Sequence, residues 1–249
     1  MDAHRSPAWL RSLAAAGLVL LVACAGCGGG GRPAGTGLAA GAAQTETGRK
    51  PAQVMSHEGA AWLEREGRDQ EEKPEVVLAA MELAPGMTVA EIGAGTGYFS
   101  RRIAPVVGPT GKVLAVDIQP EMLELLREYT AREGITNVEP VLGTENDPRL
   151  PKGSVDRILL VDVYHEFQQP AEMLARMRES LAPGGRVILV EYRREDVSAD
   201  HIAIDHRMSV EQVLEEWLPA GFQLLNQVET LPSQHLFVFS ARRGARPVP

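Results

Sequence analysis

The stretch Glu91-Ile92-Gly93-Ala94-Gly95-Thr96-Gly97-Tyr98-Phe99 lies where a predicted strand passes into a predicted helix. Its glycines at alternate positions, Gly93, Gly95 and Gly97, permit backbone angles and close approaches that a side chain would block. Glu91 leaves a carboxylate at the end of the strand. A small ligand can therefore lie directly on the main chain at this bend, next to the N-terminus of a helix.

Strand and helix patterns alternate on both sides of this bend. Short β-branched and aliphatic runs predict strands over residues 88–92, 112–117, 138–142, 155–161 and 186–191. Helical spacing predicts helices over 97–107, 120–132, 171–181 and 210–220, and one more that begins near Pro74. Two last strands, over 223–229 and 235–241, are joined by a short link and should pair antiparallel. The sequence therefore predicts an α/β, Rossmann-like, doubly wound fold, whose seven-stranded sheet is mostly parallel with an antiparallel last strand.

The next predicted strand ends in Val116-Asp117-Ile118. A carboxylate at a strand terminus can accept hydrogen bonds from both ribose hydroxyls of a nucleoside, although Asp117 can also cap the following helix. The dinucleotide fingerprint would require a glycine where this chain has Tyr98, and no Gly-Lys-Ser/Thr follows the bend. A nicotinamide- or flavin-dependent oxidoreductase is thus a disfavoured alternative, and a P-loop is excluded.

The acidic-x-Gly-x-Gly-x-Gly spacing resembles motif I of the class I S-adenosylmethionine-dependent methyltransferases. The stretch Leu181-Ala182-Pro183-Gly184-Gly185-Arg186-Val187 resembles the turn before the fifth strand of that family, and Gly153-Ser154-Val155-Asp156 resembles its approach to the fourth. The resemblance covers residues 73–241 and is nearest in character to small-molecule enzymes such as quinone-biosynthesis C-methyltransferases. It implies that the chain binds S-adenosylmethionine and methylates a small-molecule acceptor.

The resemblance also implies a set of cofactor-binding residues around the carboxyl ends of the strands. One departure concerns the adenine amino group, because Gly143-Thr144-Glu145 stands where relatives commonly have Gly-Asp-Ala. Glu145 or Asp147 can substitute, and Ile118 and Leu142 can supply apolar walls for the ring. The cofactor-binding residues expected are Glu91, Gly93, Ala94, Gly95, Gly97, Tyr98, Asp117, Ile118, Glu145 and Asp162.

Candidate catalytic residues follow the fourth predicted strand, in Val161-Asp162-Val163-Tyr164-His165-Glu166-Phe167. The carboxyl end of such a strand faces the bound ligand, and histidine is well suited to remove a proton from an acceptor. We expect His165 to be the general base, with Asp162 and Tyr164 near the methyl donor. In the alternative interpretation, Asp162 and His165 cap the following helix and Tyr164 packs.

A second candidate segment for the acceptor side precedes the helix predicted over 210–220. Here His206 and Arg207 either reach over the pocket to bind an anionic acceptor or only connect two elements, with Ser209 as a helix cap. No Asp, Glu or His residues have a spacing typical of metal ligands, so we expect no metal site.

The N-terminal prefix has the pattern of an export signal. Arg5 and Arg11 precede an apolar run over residues 13–23, which is about half the length of a transmembrane helix. Leu21-Val22-Ala23-Cys24 resembles the lipobox of bacterial lipoproteins, which implies an acylated Cys24 that anchors the chain to a membrane. Because Cys24 and Cys27 are the only cysteines, the rest of the chain can form no disulfide and has no cysteine nucleophile.

These patterns predict a domain organisation in four parts. We expect a signal peptide with its anchor cysteine over residues 1–24, a flexible linker over 25–54, the methyltransferase domain over 55–243 and a disordered tail over 244–249. The protein would then be exported and lipid-anchored at the cell envelope, or cytoplasmic if the signal is not genuine.

The formal net charge of −8 argues against nucleic acid as a partner, since an acidic surface repels phosphate backbones. Export gives weight to an alternative function, because S-adenosylmethionine is made in the cytoplasm. That alternative is a non-catalytic or degenerate protein of the same fold that binds the cofactor at the envelope.

Overall fold

Seven strands form a single sheet in the computed structural model, which describes residues 48–196 and 199–242. Their order in the sheet is β3-β2-β1-β4-β5-β7-β6. The first five strands are parallel, and β7 is antiparallel to both of its neighbours. The bounds are β1 Thr88–Ile92, β2 Lys112–Asp117, β3 Val138–Leu142, β4 Val155–Val161, β5 Leu181–Tyr192, β6 Phe222–Val228 and β7 Gln234–Ala241. The predicted fold class is confirmed.

Helices of eight residues or more pack on both faces of this sheet, and two shorter helices precede them in the chain. The helices are α1 Ala60–Leu63, α2 Arg68–Glu72, α3 Pro74–Met81, α4 Tyr98–Val107, α5 Pro120–Arg132, α6 Pro170–Ser180 and α7 Val210–Trp217. One buried cluster joins Met173 of α6 and Trp217 of α7 to Ile158 of β4. A second cluster joins Met81 of α3 to Leu159, the next residue of the same strand. Since successive strand residues point to opposite faces, a strand buried on both sides reads as a continuous apolar run.

The predicted and observed elements differ most at β5 and at the chain's approach to the sheet. Leu181 already pairs with Val155, ahead of a register shift, so β5 begins before its predicted start at residue 186.

Residues 48–54 were expected to belong to a flexible linker. That expectation is wrong for this stretch, because Ala52 is 1% exposed and its amide donates to the His165 carbonyl at 3.0 Å.

Residues 49–72, which we call the strap, cross the edge of the sheet where the parallel strands end. The side chain of Arg49 donates to the His165 carbonyl beyond β4 at 2.8 Å. The His57 amide donates to the Gln119 side chain beyond β2 at 2.8 Å, and Leu63 of α1 lies against the glycine bend beyond β1. The strap therefore covers the edge on which the sequence places its candidate site.

No helix within the described ranges has the length and apolarity needed to cross a membrane. The predicted signal peptide, Cys24, most of the predicted linker and the predicted C-terminal tail lie outside the described residues.

Candidate active site

The glycine bend connects β1 to α4 and is held in a conformation that other residues rarely adopt. Gly93, Gly95 and Gly97 have φ values of 74°, 53° and 82°. A Cβ at Gly95 would lie 2.6 Å from Cδ1 of Leu63, and one at Gly93 would collide with Val163. The three glycines are therefore required both for the backbone angles and for the closeness of neighbouring side chains.

Glu91 fixes the bend from within. Its carboxylate accepts hydrogen bonds from the Ser100 amide at 2.7 Å and from the Ser100 hydroxyl at 2.5 Å, in the first turn of α4. Burial raises the pKa of Glu91 to about 7, although both hydrogen bonds from Ser100 favour the charged form. The structure thus shows Glu91 tying the strand to the helix, a contact that the sequence analysis did not foresee.

Asp117 lies directly beside the bend. Its Oδ2 accepts the Gly95 amide at 2.8 Å, and its Oδ1 accepts the Gln119 amide at 2.9 Å. Burial raises the pKa of Asp117 and outweighs these backbone hydrogen bonds, which lower it. Both oxygens keep a further lone pair, because a carboxylate oxygen offers about two acceptor sites. The two segments that the sequence analysis assigned to one ligand are therefore adjacent.

Apolar side chains stand at the open end of this arrangement. Ile118 directly follows β2 and is 37% exposed. Leu142 is the last residue of β3 and is 44% exposed. Asp117 pairs with Leu142 in the register of these strands, so both apolar residues lie at the carboxyl ends of β2 and β3. Glu145 is exposed on the next segment, and Asp147 accepts the Arg149 amide at 2.7 Å.

Asp162 occupies a strained position at the end of β4. Its φ is 50°, its Oδ2 accepts the Gln234 side-chain amide at 2.6 Å, and its Oδ1 is buried without a hydrogen-bond partner among the described residues. Burial raises the pKa of Asp162 well above its usual value, and Glu72 and Glu191 raise it further. A ligand cation or hydrogen-bond donor would satisfy this oxygen.

Tyr164 belongs to the core instead of lining an open surface. It is fully buried, and its hydroxyl donates to Oε2 of Glu216 at 2.6 Å. Its ring packs against Phe167 and Trp217. The expectation that Tyr164 lies near the methyl donor is therefore replaced by the alternative, in which it packs.

His165 stands between two partners. Its Nδ1 lies 2.6 Å from Oε2 of Glu191, and its Nε2 lies 3.1 Å from Nδ1 of His206. Burial disfavours the charged imidazole, but the Glu191 carboxylate outweighs burial, so the pKa of His165 is raised. The pKa of His206 is lowered by burial and by the nearby His165. A proton on this pair is therefore held mainly by His165.

Arg207 has a structural role. It is 9% exposed and donates to the carbonyls of Asp196 at 2.8 Å and Ile202 at 2.9 Å, and also to that of Ala199. These contacts close the loop that carries His206. The connecting role was one of the two interpretations left open, and the structure favours it over binding of an anionic acceptor. Ser209 caps α7 in a capping box with Gln212, as predicted.

The strap closes the site from above. Glu64 accepts the Thr96 hydroxyl at 2.6 Å, and the Met55 amide donates to Glu166 at 3.1 Å. The Tyr98 hydroxyl donates to Asp69, and its ring lies between the guanidinium groups of Arg68 and Arg102. Tyr98 thus faces the strap, whereas the sequence analysis placed it on the cofactor.

Sequence reasoning missed Glu191, Gln234 and Leu63. Glu191 could have been found, because it is a carboxylate near the carboxyl end of a parallel strand, as Asp117 is. Gln234 and Leu63 gave no comparable signal, since each reaches the site from an element distant in sequence.

The comparisons with known proteins agree with this geometry. Residues 89–185 match a family model described as a methyltransferase domain, which includes the glycine bend, Asp117 and the segment around His165. A solved S-adenosylmethionine-dependent methyltransferase from Aquifex aeolicus aligns with a TM-score of 0.71 at 26% identity, covering 75% of this chain and 98% of that one. Residues 89–185 therefore match a methyltransferase domain model, and the chain has the fold of a solved S-adenosylmethionine-dependent methyltransferase.

The curated relatives differ in the acceptor that their names state. A protein-L-isoaspartate O-methyltransferase from Methanothrix thermoacetophila is 32% identical over 109 residues, covering 44% of this chain and 49% of its own. A ubiquinone/menaquinone biosynthesis C-methyltransferase from Burkholderia vietnamiensis is 31% identical over 117 residues, covering 47% and 48%. The chain spans about half the length of these curated relatives.

Proposed function

We propose that this protein binds S-adenosylmethionine at the carboxyl edge of β1, β2 and β4 and transfers its methyl group to a small-molecule acceptor. One observation carries the proposal. The glycine bend, the Asp117 carboxylate and the unpartnered Asp162 Oδ1 end three neighbouring parallel strands. Ligands of open α/β sheets bind outside the carboxyl ends of the strands.

The residues present suit the chemistry of this cofactor. Asp117 would accept hydrogen bonds from the ribose hydroxyls through its remaining lone pairs. Exposed Ile118 and Leu142 would pack on the adenine ring. The buried Asp162 carboxylate would gain a cationic partner in the ammonium or sulfonium group, and the cofactor carries no phosphate that this acidic edge would repel.

Cofactor binding requires the strap to move. Leu63 lies in the space that a side chain at Gly95 would occupy, and the Glu64 carboxylate holds α1 there by accepting the Thr96 hydroxyl. Helix α1 has only four residues. We propose that it shifts to admit the cofactor and then closes over it, which would exclude water from the reaction.

Methyl transfer to an acceptor is an in-line displacement, for which the cofactor supplies the activated methyl group. The protein must align the two reactants, an effect worth about 7–11 kcal/mol in well-oriented systems. We propose that His165, which Glu191 holds in place, removes the acceptor proton, and that His206 lies between His165 and the surface. A small acceptor is favoured over a protein, because His165 is only 2% exposed.

Calorimetry with S-adenosylmethionine and S-adenosylhomocysteine on the full chain tests the cofactor site. We expect one site per chain, and absence of binding by both compounds would refute the proposal together with the degenerate-binder alternative. A labelled methyl donor offered with phenols, amines and carbon acids then tests turnover. Binding without turnover of any acceptor would favour the non-catalytic alternative, which the predicted export signal supports.

The base assignment has its own test. His165→Ala should slow turnover by about 10²–10⁴-fold, the usual contribution of general base catalysis, and should still bind S-adenosylhomocysteine. His201→Ala is the matched control, because His201 is an exposed histidine on the loop that leads to His206. Turnover by His165→Ala at the wild-type rate would remove the assignment.

We also propose that Cys24 is acylated and anchors the protein at the cell envelope. The proposal rests on Leu21-Val22-Ala23-Cys24 and the apolar run before it. Labelled palmitate should be incorporated by the wild type and by Cys27→Ser but not by Cys24→Ser. Equal labelling of the two variants, or none of the wild type, would contradict the anchor.

A further inference from the structure

Three possible metal ligands meet on the acceptor side of the site. His165, Glu166 and His206 each offer one ligand atom, and these atoms lie within 4.8 Å of one another. Nε2 of His165 and Nδ1 of His206 are 3.1 Å apart. Two imidazole nitrogens on one tetrahedral zinc ion, at about 2.0–2.1 Å from the metal, lie about 3.3 Å from each other. The two nitrogens thus already have nearly the separation that a shared ion would impose.

His165 is held in the orientation that a metal ligand needs. Glu191 is fully buried, and its two oxygens accept the Tyr164 amide at 2.7 Å and bind Nδ1 of His165 at 2.6 Å. With the proton of neutral His165 on Nδ1, the lone pair of Nε2 points toward His206. Metal-bound histidines characteristically donate their second ring nitrogen to a carboxylate in this way.

The third ligand comes from the same short turn as His165. Glu166 belongs to the 3-10 turn Tyr164–Glu166, and its Oε1 accepts the Met55 amide of the strap at 3.1 Å. Glu166 is partly buried. A divalent cation beside it would compensate the cost of burying its charge.

We propose that His165 Nε2, His206 Nδ1 and a carboxylate oxygen of Glu166 bind one divalent transition metal ion, with Glu191 as the outer carboxylate. Two histidines and one carboxylate suit Zn²⁺ or Fe²⁺ and leave at least one coordination position open. An oxygen of the acceptor can take that position. The spacing of residues along the chain does not indicate this site, because the two histidines are 41 residues apart.

The metal site stands on its own geometry and does not depend on methyl transfer. If it is occupied, the lone pair that we assign to proton removal is bound to the ion, and the ion would acidify the acceptor instead. Binding of the metal can therefore be measured in the absence of cofactor and acceptor.

The test is a Co²⁺ titration of the full chain without a histidine tag, after treatment with a chelator. The prefix cysteines are themselves possible ligands, so Cys24→Ser and Cys27→Ser are made in every sample. We expect one Co²⁺ per chain with visible d–d absorption, and displacement by Zn²⁺. In this background His206→Ala should weaken Co²⁺ binding at least tenfold, and Glu191→Gln by about 10–100-fold, as expected for an outer carboxylate.

His206→Ala is the decisive variant, because His206 is partly exposed and its loss should leave the fold intact. Circular dichroism can verify that the fold is retained. His201→Ala is the control and should bind Co²⁺ as the parent does. Failure of the parent to bind one Co²⁺, or equal binding by His206→Ala and the parent, would overturn the proposal. Calorimetry with S-adenosylhomocysteine on the same samples tests the proposed function separately.

Discussion

Replacing Leu63 by alanine should tighten cofactor binding. Full burial of a leucine side chain contributes about 1.5–3 kcal/mol, and Leu63 is only partly buried against Gly95, so its contact contributes about 1 kcal/mol to the closed strap. When the binding-competent state is a minor one, the apparent Kd is the intrinsic Kd divided by its population. Losing about 1 kcal/mol from the closed state should lower the apparent Kd about fivefold.

Isothermal titration with S-adenosylhomocysteine measures this effect without turnover. Leu225→Ala is the matched control, because Leu225 is a 48% exposed leucine of β6, at the far edge of the sheet. It should leave the Kd unchanged. An unchanged Kd for Leu63→Ala would show that the strap does not compete with the cofactor, and a weaker one would show that Leu63 packs on the ligand.

Three further predictions concern the site and its support. Asp117→Ala should weaken S-adenosylhomocysteine binding about tenfold or more in calorimetry, since it removes the carboxylate proposed to accept both ribose hydroxyls, and an unchanged Kd would exclude that role. Glu91→Gln should flatten the pH dependence of the free energy of unfolding. The raised pKa of Glu91 contributes about 3 kcal/mol of stability, which is complete below pH 4.5 and is lost as the pH rises to about 7. Denaturant titrations at pH 4.5 and pH 8 that change equally in the wild type and the variant would contradict this. Tyr164→Phe should lower the free energy of unfolding by about 1–2 kcal/mol, measured from the denaturation midpoint, because it removes the hydrogen bond to Glu216; no loss would mean that this bond contributes nothing.

The fold was predictable because its pattern is local. The first four strands have the bounds that the apolar runs predict, and the antiparallel end of the sheet follows from the short link before β7. The cofactor side was predictable in part, since the ends of β1 and β2 must meet at one edge. That rule brings Asp117 to the glycine bend.

The acceptor side was predicted less well, and for a definite reason. Tyr164 and His165 are neighbours in sequence, yet one side chain enters the core and the other meets Glu191 and His206. Sequence spacing places both beyond β4 but does not give the direction of each side chain in the 3-10 turn. The partners of each come from β5, α7 and the loop before it.

The sequence by itself determined the order of strands and helices, the bend that only glycine can form and the edge on which a ligand would lie. Hydrophobic periodicity and backbone sterics act over a few residues, so they can be read along the chain. Only the tertiary structure decided that the strap covers the glycine bend and that His165, Glu166 and His206 converge. Those contacts join residues separated by tens of positions, and they depend on how the elements pack and on which side-chain orientations the packing allows.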